Sequence, residues 1–399
     1  IVVKRMNDII FAPATAKGKS ALSVIRVSGK GASKILIAIT DKPLPKERML
    51  TLRNCISPEK NNQIIDTCLV CWMPSPNSYT GEDSFEIYCH GGGAIIGSFF
   101  ETLSKLKNVR FAEAGEFTKR ALMNGKINLI KAEAINDLVN SETEKQRLLA
   151  IKQLSKGLTV PLKKWKQILK NCMANVESRI DFSDEEDVPE EPNFEEDLLY
   201  LKFQIEKVLD NSKSYELVKK GTKVVLTGKV NAGKSSLFNT ILRSKKSIVT
   251  NLPGTTRDII EGAINLKGYP VIFYDTAGIN KTDNPIEKEG IKRALKIIKE
   301  ADIILNVIDA KKLDCSEINN KNWNVINKID ILCPDLNQIK NNTKVLKVSA
   351  ETGDGVSMLL DNILEHIKLE TKSLGNSDTL LSSERQRILL LKSLESINL

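Results

Sequence analysis

Apolar and polar positions change rhythm along this chain. Through about residue 120, short apolar runs alternate with glycine-rich turns. "SALSVIRVSG", "DTCLVCWMP" and "DSFEIYCHGGG" have strand character, and "AIIGSFFETLSKL" reads as a helix following the glycines. This predicts a compact α+β domain over 1–120. From about 121 to 215 the period becomes helical, in "ALMNGKINLIKAEAINDLVNSETEKQRLLAIKQL" and "PLKKWKQILKNCMANVESRI", with Pro161 suited to a first helical turn. Residues 216–371 alternate strands and helices, as a parallel α/β sheet requires. Its strand candidates are "TKVVLTG", "YPVIFYDT", "ADIILNVID", "WNVINKID" and "TKVLKVSA". Residues 372–399 return to a polar linker and one helix, "SSERQRILLLKSLES". An α/β domain thus reads as inserted between helical segments.

Composition adds bounds to this picture. The 399 residues, 41% hydrophobic and 27% charged, suit a soluble protein of two or three domains. A formal charge of +9 is compatible with a polyanionic partner such as RNA, although lysines are spread and acids cluster locally. The sharpest acidic run, ten acids and no base from Asp181 to Asp197, reads as a solvated loop and helix N-terminus rather than a metal site. No apolar stretch has the length of a membrane span, and the start lacks the apolar region of a signal peptide. It opens on Ile1, and Met6 suits a native start better. Seven cysteines without paired spacing predict a reduced, cytoplasmic protein. The one CxxC, Cys68 to Cys71, lies in an apolar strand pattern with only two histidines in the chain, and reads as core packing.

Candidate chemistry concentrates in the inserted domain. "VVLTGKVNAGKSSLFNTIL" is a strand, a GxxxxGKS loop and a helix. In its loop Asn231, Ala232, Gly233, Lys234, Ser235 and Ser236 line a phosphate cradle, with the amides of Gly233, Lys234 and Ser235 at the helix N-terminus. Lys234 would reach the β/γ-phosphates and the Ser235 hydroxyl would ligate Mg²⁺. "NLPGTTRD" offers Thr255 and Thr256, the latter a second Mg²⁺ ligand. "DTAG" offers Asp275, Thr276, Ala277 and Gly278 near the magnesium shell and γ-phosphate. "NKID" and "SAETG" specify the base: Asp330 accepts from guanine N1–H and its exocyclic amine, Asn327 and Lys328 position and cover the ring, and Ser349 and Ala350 brace it. Five elements in order predict GTP and GDP binding. The Gln that orients water in Ras and Gα follows such a Gly, and here Ile279 stands in that slot.

"GKVNAGKSS" and "NLPGTTRD" resemble the translation-factor-like GTPases, among them Era, EngA and the MnmE family, which carry a hydrophobic residue in place of that Gln. "IRVSG", "PNSYTGEDSFEIYCHGG", "AGEFTKRALMNGKINLIKAEAINDLV" and "DFSDEE" resemble the MnmE (TrmE) family of tRNA modification GTPases, and the likeness covers nearly the whole chain. The resemblance implies a tetrahydrofolate-binding, dimerising N-terminal α+β domain, a helical domain and an inserted Ras-like P-loop GTPase domain. It implies a homodimer that joins the FAD-dependent partner MnmG in a heterotetramer. Together they would add an aminomethyl-type group to C5 of the wobble uridine of certain tRNAs, using a folate one-carbon unit. By motif position Arg26, Glu86 and Lys126 would contact a tetrahydrofolate derivative. Asn231 would lend its side-chain oxygen to K⁺, with Thr250, Leu252 and Thr255 in the potassium loop, Thr250 also near the nucleotide. Glu287 occupies the catalytic glutamate position; the residue pattern of "DNPIEKEG" alone does not choose among Asp283, Glu287 and Glu289.

Two departures from the family pattern touch the folate side. The family's "ATPPGRGG" is "ATAKGKSA" here, and its C-terminal Cys-x-Gly-Lys tail does not occur before Leu399. The chain therefore reads as a C-terminally shortened member. The alternatives are an RNA-binding or ribosome-assembly switch like Era or EngA, and a remnant that binds GTP without modifying tRNA. Era would need a KH module after residue 372 and EngA a second P-loop, and the sequence shows neither.

Overall fold

The computed structural model describes residues 8–155, 157–181, 194–244, 247–248, 260–276, 292, 294–312, 318, 322–331, 345–372, 374 and 381–398. Contacts divide the chain into two units, Ile1–Ala132 and Glu133–Leu399.

The first unit is built on a six-stranded sheet. Its strands are β1 (Ile9–Pro13), β2 (Ser20–Ser28), β3 (Leu50–Ser57), β4 (Gln63–Met73), β5 (Ser84–Gly91) and β6 (Val109–Phe111). They lie in the order β3-β4-β5-β2-β1-β6, with only β1 and β6 parallel. Helices α1 (Ala32–Thr40), α2 (Gly93–Lys105) and α3 (Glu116–Met123) accompany it. Strand alternation sends Ile25, Val27, Phe85 and Ile87 to one face, where Leu36 and Ile39 of α1 and Phe99 and Leu103 of α2 cover them. Arg26, Glu86 and Tyr88 consequently stand on the other face. Cys68 is buried in β4 as core packing requires, and among the described residues no group of His, Cys, Asp and Glu is placed to hold a metal.

Charge is also buried in this unit. Arg120 contacts Asp8 at 2.8 Å and Glu116 at 3.1 Å, and Arg110 bonds the same two acids at 2.6 Å each. Burial pushes the Glu116 carboxyl up, but Arg110, the Glu113 amide and Arg120 outweigh it and hold it at about 2. The folded value lies below the unfolded one. Stability from this group is therefore present above pH ~4.5 and lost as pH falls toward 2, on the order of 3 kcal/mol. We expect the urea midpoint of this unit to fall over that window. Trp72 fluorescence, with Trp165 and Trp323 replaced by Phe, is the readout. Glu116→Gln should flatten the acid limb, and an unchanged limb would refute the assignment.

The second unit opens with helices. After α4 (Leu129–Val139), which begins just ahead of it, come α5 (Glu144–Ser155), α6 (Thr159–Asp181), α7 (Phe194–Asp210) and α8 (Ser212–Lys220). The long helical pattern predicted around residues 121–155 is broken twice. Gly125, at φ 68°, ends the turn after α3. Thr143 and Gln146 form a capping box that starts α5: Gln146 N donates to Thr143 Oγ1, and Thr143 N donates to Gln146 Oε1. Pro161 sits in the first turn of α6, and Glu195, Glu196 and Asp197 occupy the first turn of α7, where acids favour a helix dipole. No described helix is long and apolar enough to cross a membrane.

A seven-stranded sheet follows. It comprises β7 (Thr222–Thr227), β8 (Ser247–Ile248), β9 (Ile260–Leu266), β10 (Tyr269–Asp275), β11 (Ile303–Asp309), β12 (Trp323–Asn327) and β13 (Val345–Lys347), in the order β13-β12-β11-β7-β10-β9-β8. Helices α9 (Lys234–Ser244), α10 (Val356–Glu370) and α11 (Glu384–Ile397) belong to the same unit. All five predicted strands are present, but the sheet is mixed rather than wholly parallel. "IEGAINL" forms β9 and pairs antiparallel with β10. The cause is local: Lys267 and Gly268, at φ 48° and 97°, make a two-residue hairpin turn that reverses the chain. Val224, Leu226, Leu305 and Phe273 fill the core against Leu237 and Ile241 of α9 and Leu359 and Ile363 of α10.

Candidate functional site

Parallel strands β7, β10, β11 and β12 bring Thr227, Asp275, Asp309 and Asn327 to their carboxyl ends, where open α/β sheets bind ligands. The loop 228–233 leaves β7 there and enters α9. Packing alone demands two of its glycines. At Gly228, φ 136°, a Cβ would stand 2.1 Å from the Val307 carbonyl oxygen; at Gly233, φ 88°, it would stand 2.2 Å from Asn327 Nδ2. Because α9 begins at Lys234, the amides of its first turn, including Ser235 and Ser236, have no intrahelical acceptor and form an anion site. Lys234 is buried, and its ammonium donates to the carbonyls of Gly228 at 2.9 Å and Lys229 at 3.0 Å. Burial pulls its pKa below the usual lysine range, against the opposing pull of the Asp275 carboxylate. Asp275 is buried too, and Thr276 beside it donates to the Leu226 carbonyl at 2.6 Å.

The "NKID" and "SAETG" segments meet the same loop. Asn327, 1% exposed, donates from Nδ2 to the Ala232 carbonyl at 3.0 Å and accepts from Ala350 N at 2.9 Å. It therefore ties the phosphate loop to the "SAETG" segment. The Lys328 ammonium donates to the Asn231 carbonyl at 2.8 Å and to Asp309 Oδ2 at 2.7 Å. Ser349 Oγ donates to Asp330 Oδ1 and accepts from Thr352 N, which fixes the Asp330 carboxylate. Sequence reasoning missed Asp309. Its signal was an acid closing the apolar strand "IILNVID", which the register sets opposite Asn327. Burial works to raise the pKa of that acid, but Lys328 and the Lys311 amide bring it below the ordinary range.

The described residues thus gather Asn231, Ala232, Gly233, Lys234, Ser235, Ser236, Asp275, Thr276, Asn327, Lys328, Asp330, Ser349 and Ala350 in one unit. Thr250, Leu252, Thr255, Thr256, Ala277, Gly278, Ile279 and Glu287 lie outside the described residues. The Ser235 hydroxyl and Asp275 carboxylate supply hard oxygen donors, the chemistry Mg²⁺ takes.

The first unit presents a second cluster. Register sets Arg26 directly opposite Glu86, and the guanidinium reaches Oε1 through Nε at 2.8 Å and Nη2 at 2.7 Å. Tyr88 OH donates to Oε2 at 2.6 Å, a bond that pushes its own pKa up to about 12. A carboxylate offers about four lone-pair sites, so these three donors leave Glu86 room for one more. The guanidinium also stands 5.4 Å from the Tyr79 ring centroid and 5.8 Å from that of Phe117. Lys126 is not part of these contacts: its ammonium donates to the Pro76 carbonyl at 2.9 Å. Tyr88 was not anticipated, although it lies two residues from Glu86 on the same strand face.

Comparison with known proteins covers both units. A family described as "GTP-binding protein TrmE N-terminus" matches residues 9–126, and one described as "MnmE helical domain" matches 129–399. The chain is 43% identical over 340 residues to the tRNA modification GTPase MnmE of Pelagibacter ubique, covering 83% of this chain and 76% of that protein. It is 40% identical over 361 residues to the protein of that name from Maricaulis maris, covering 89% and 81% respectively. A Methylobacterium relative of the same name aligns over 386 residues at 38% identity, covering 96% and 86%.

Proposed function

The chain belongs to the MnmE family of tRNA modification GTPases, and from that membership we propose a potassium-dependent GTPase acting on the wobble uridine of tRNA. It hydrolyses GTP in the cytoplasm as a homodimer. Together with an FAD-containing MnmG partner it places an aminomethyl-type group on uridine C5, with a tetrahydrofolate derivative as one-carbon source. Residues 1–120 form the folate-binding and dimerising domain, 121–215 and 372–399 the helical domain, and 216–371 the GTPase domain. The observation that carries this reading is the family match over residues 9–126 and 129–399, and the double tie of Asn327 to Ala232 and Ala350 supports its nucleotide-binding part.

Within the site, Lys234 and the α9 amides hold the β- and γ-phosphates, and Asp330 accepts from the guanine edge. Ser235, Thr256 and Asp275 are the residues suited to Mg²⁺, which when bound neutralises charge on the phosphates. Asn231, with Thr250, Leu252 and Thr255, would hold K⁺, whose positive charge serves as an arginine finger does elsewhere. Hydrolysis should accordingly run at least tenfold faster in KCl than in NaCl at equal ionic strength, and equal rates would remove the potassium assignment. On the first unit, Arg26 and Glu86 face the folate, with Lys126 as a third contact. Nucleoside mass spectrometry tests the whole reading. In cells lacking the gene, the wobble uridine should be unmodified and restored by this chain; a modification pattern indifferent to the gene would overturn it.

A further inference from the structure

A cavity lies in the GTPase-bearing unit, away from the phosphate loop. Its volume is about 430 Å³, the size of a small-molecule site. Helix α5 supplies one wall: Lys145, Leu148, Leu149 and Lys152 recur at i, i+3, i+4 and i+7, which places them on one face. The opposite wall is the end of α10, with Lys368 in its last turn, Thr371 capping it and Lys372 beyond. Between the walls Leu149, Val218 and Leu374 pack in a buried apolar cluster against Tyr269. The walls are pinned: Lys145 N donates to the Gly268 carbonyl at 3.2 Å, and the Lys152 ammonium to the Leu374 carbonyl at 3.2 Å.

Four lysines, Lys145, Lys152, Lys368 and Lys372, therefore line the cavity beside its apolar floor. Among the described residues none of the four forms an ion pair. Three acids of the two wall helices have other cations as ion-pair partners: Glu144 with Arg147 at 2.7 Å, Glu370 with Lys213 at 3.6 Å and Asp361 with Lys267 at 3.3 Å, while Glu144 also feels the charge of Lys145. Lys145 instead lies 5.5 Å from the Tyr269 ring centroid. Like charges gathered around a low-dielectric floor favour an entering anion, and the floor favours an apolar body.

We propose that this cavity binds an organic phosphate monoester with an aromatic or aliphatic body. The body lies on Leu148, Leu149, Val218 and Tyr269. The phosphate, carrying about −1.5 to −2 charges at pH 7, sits among Lys145, Lys152, Lys368 and Lys372. The site is separate from the nucleotide. Tyr269 begins β10 and Asp275 ends it, a span of about 20 Å at the rise of a strand.

The test is calorimetric titration of 1-naphthyl phosphate into the full chain saturated with GDP. Saturable binding at one site per chain is expected, weakening as salt rises and at least tenfold tighter than inorganic phosphate. Lys145→Gln combined with Lys372→Gln should weaken it tenfold or more while GDP affinity stays unchanged. Leu148→Glu, which sets a carboxylate at the exposed mouth, should weaken it as well. The proposal is overturned by absence of saturable binding, by competition with GDP, by inorganic phosphate binding equally well, or by full affinity in both variants.

Discussion

Asp330→Asn is expected to lower affinity for GTP and GDP by about 10²–10⁴-fold and to confer binding of xanthine nucleotides. The carboxylate of Asp330 only accepts hydrogen bonds, and guanine offers it two donors, N1–H and the 2-amino group. Ser349 Oγ holds one carboxylate oxygen and is itself held by Thr352 N, so the group cannot swing to a different pairing at low cost. An Asn there presents one acceptor and one donor. Guanine then leaves a donor facing a donor, whereas xanthine, with a carbonyl at C2, pairs with both. The phosphate loop should survive the change, because its support comes from Asn327 rather than Asp330. Titrations with fluorescent GDP and XDP analogues measure both halves of the expectation. Unaltered GDP affinity, or loss of GDP without gain of XDP, would refute the role given to Asp330.

How much of this was legible in the sequence depends on how local each cause is. "GKVNAGKSS", "NKID" and "SAETG" are short, and their chemistry follows from residue type at fixed spacing, so the site residues can be named from the sequence alone. Strands bounded by turn signals are equally readable. Strands β1 and β3 escaped, and so did elements whose identity is less local. Helix α1, "ASKILIAIT", is too continuously apolar for its period to separate helix from strand. Strand β6 has three residues and exists because it lies beside β1. Strand β9 has its direction fixed by the Lys267–Gly268 turn. Asp309 and Tyr88 escaped for a related reason. Each becomes part of a site only when the sheet register brings it to Lys328 or to the Arg26–Glu86 pair.

Glu287→Ala is expected to reduce the turnover number for GTP by about 10²–10³-fold, the usual effect of removing one positioned polar group, with nucleotide affinity changed less than about twofold. Ile279 is an apolar side chain in the slot where a Gln orients water in Ras and Gα, and it cannot hold a water molecule. A polar group from elsewhere must then do that work, and the switch segment offers three acids, Asp283, Glu287 and Glu289. In the proposed function nucleotide binding falls to Lys234, Asp275, Asn327 and Asp330, and Glu287→Ala removes none of those groups. Affinity and turnover should therefore separate cleanly in this protein. Asp283→Ala and Glu289→Ala set the reference, since each should keep turnover within about threefold of the unaltered chain. Single-turnover hydrolysis alongside fluorescent-GDP titration distinguishes the outcomes. If Asp283→Ala or Glu289→Ala proves the silent-turnover variant and Glu287→Ala does not, water orientation belongs to that neighbour; if all three turn over normally, the group that replaces the missing Gln lies outside this segment.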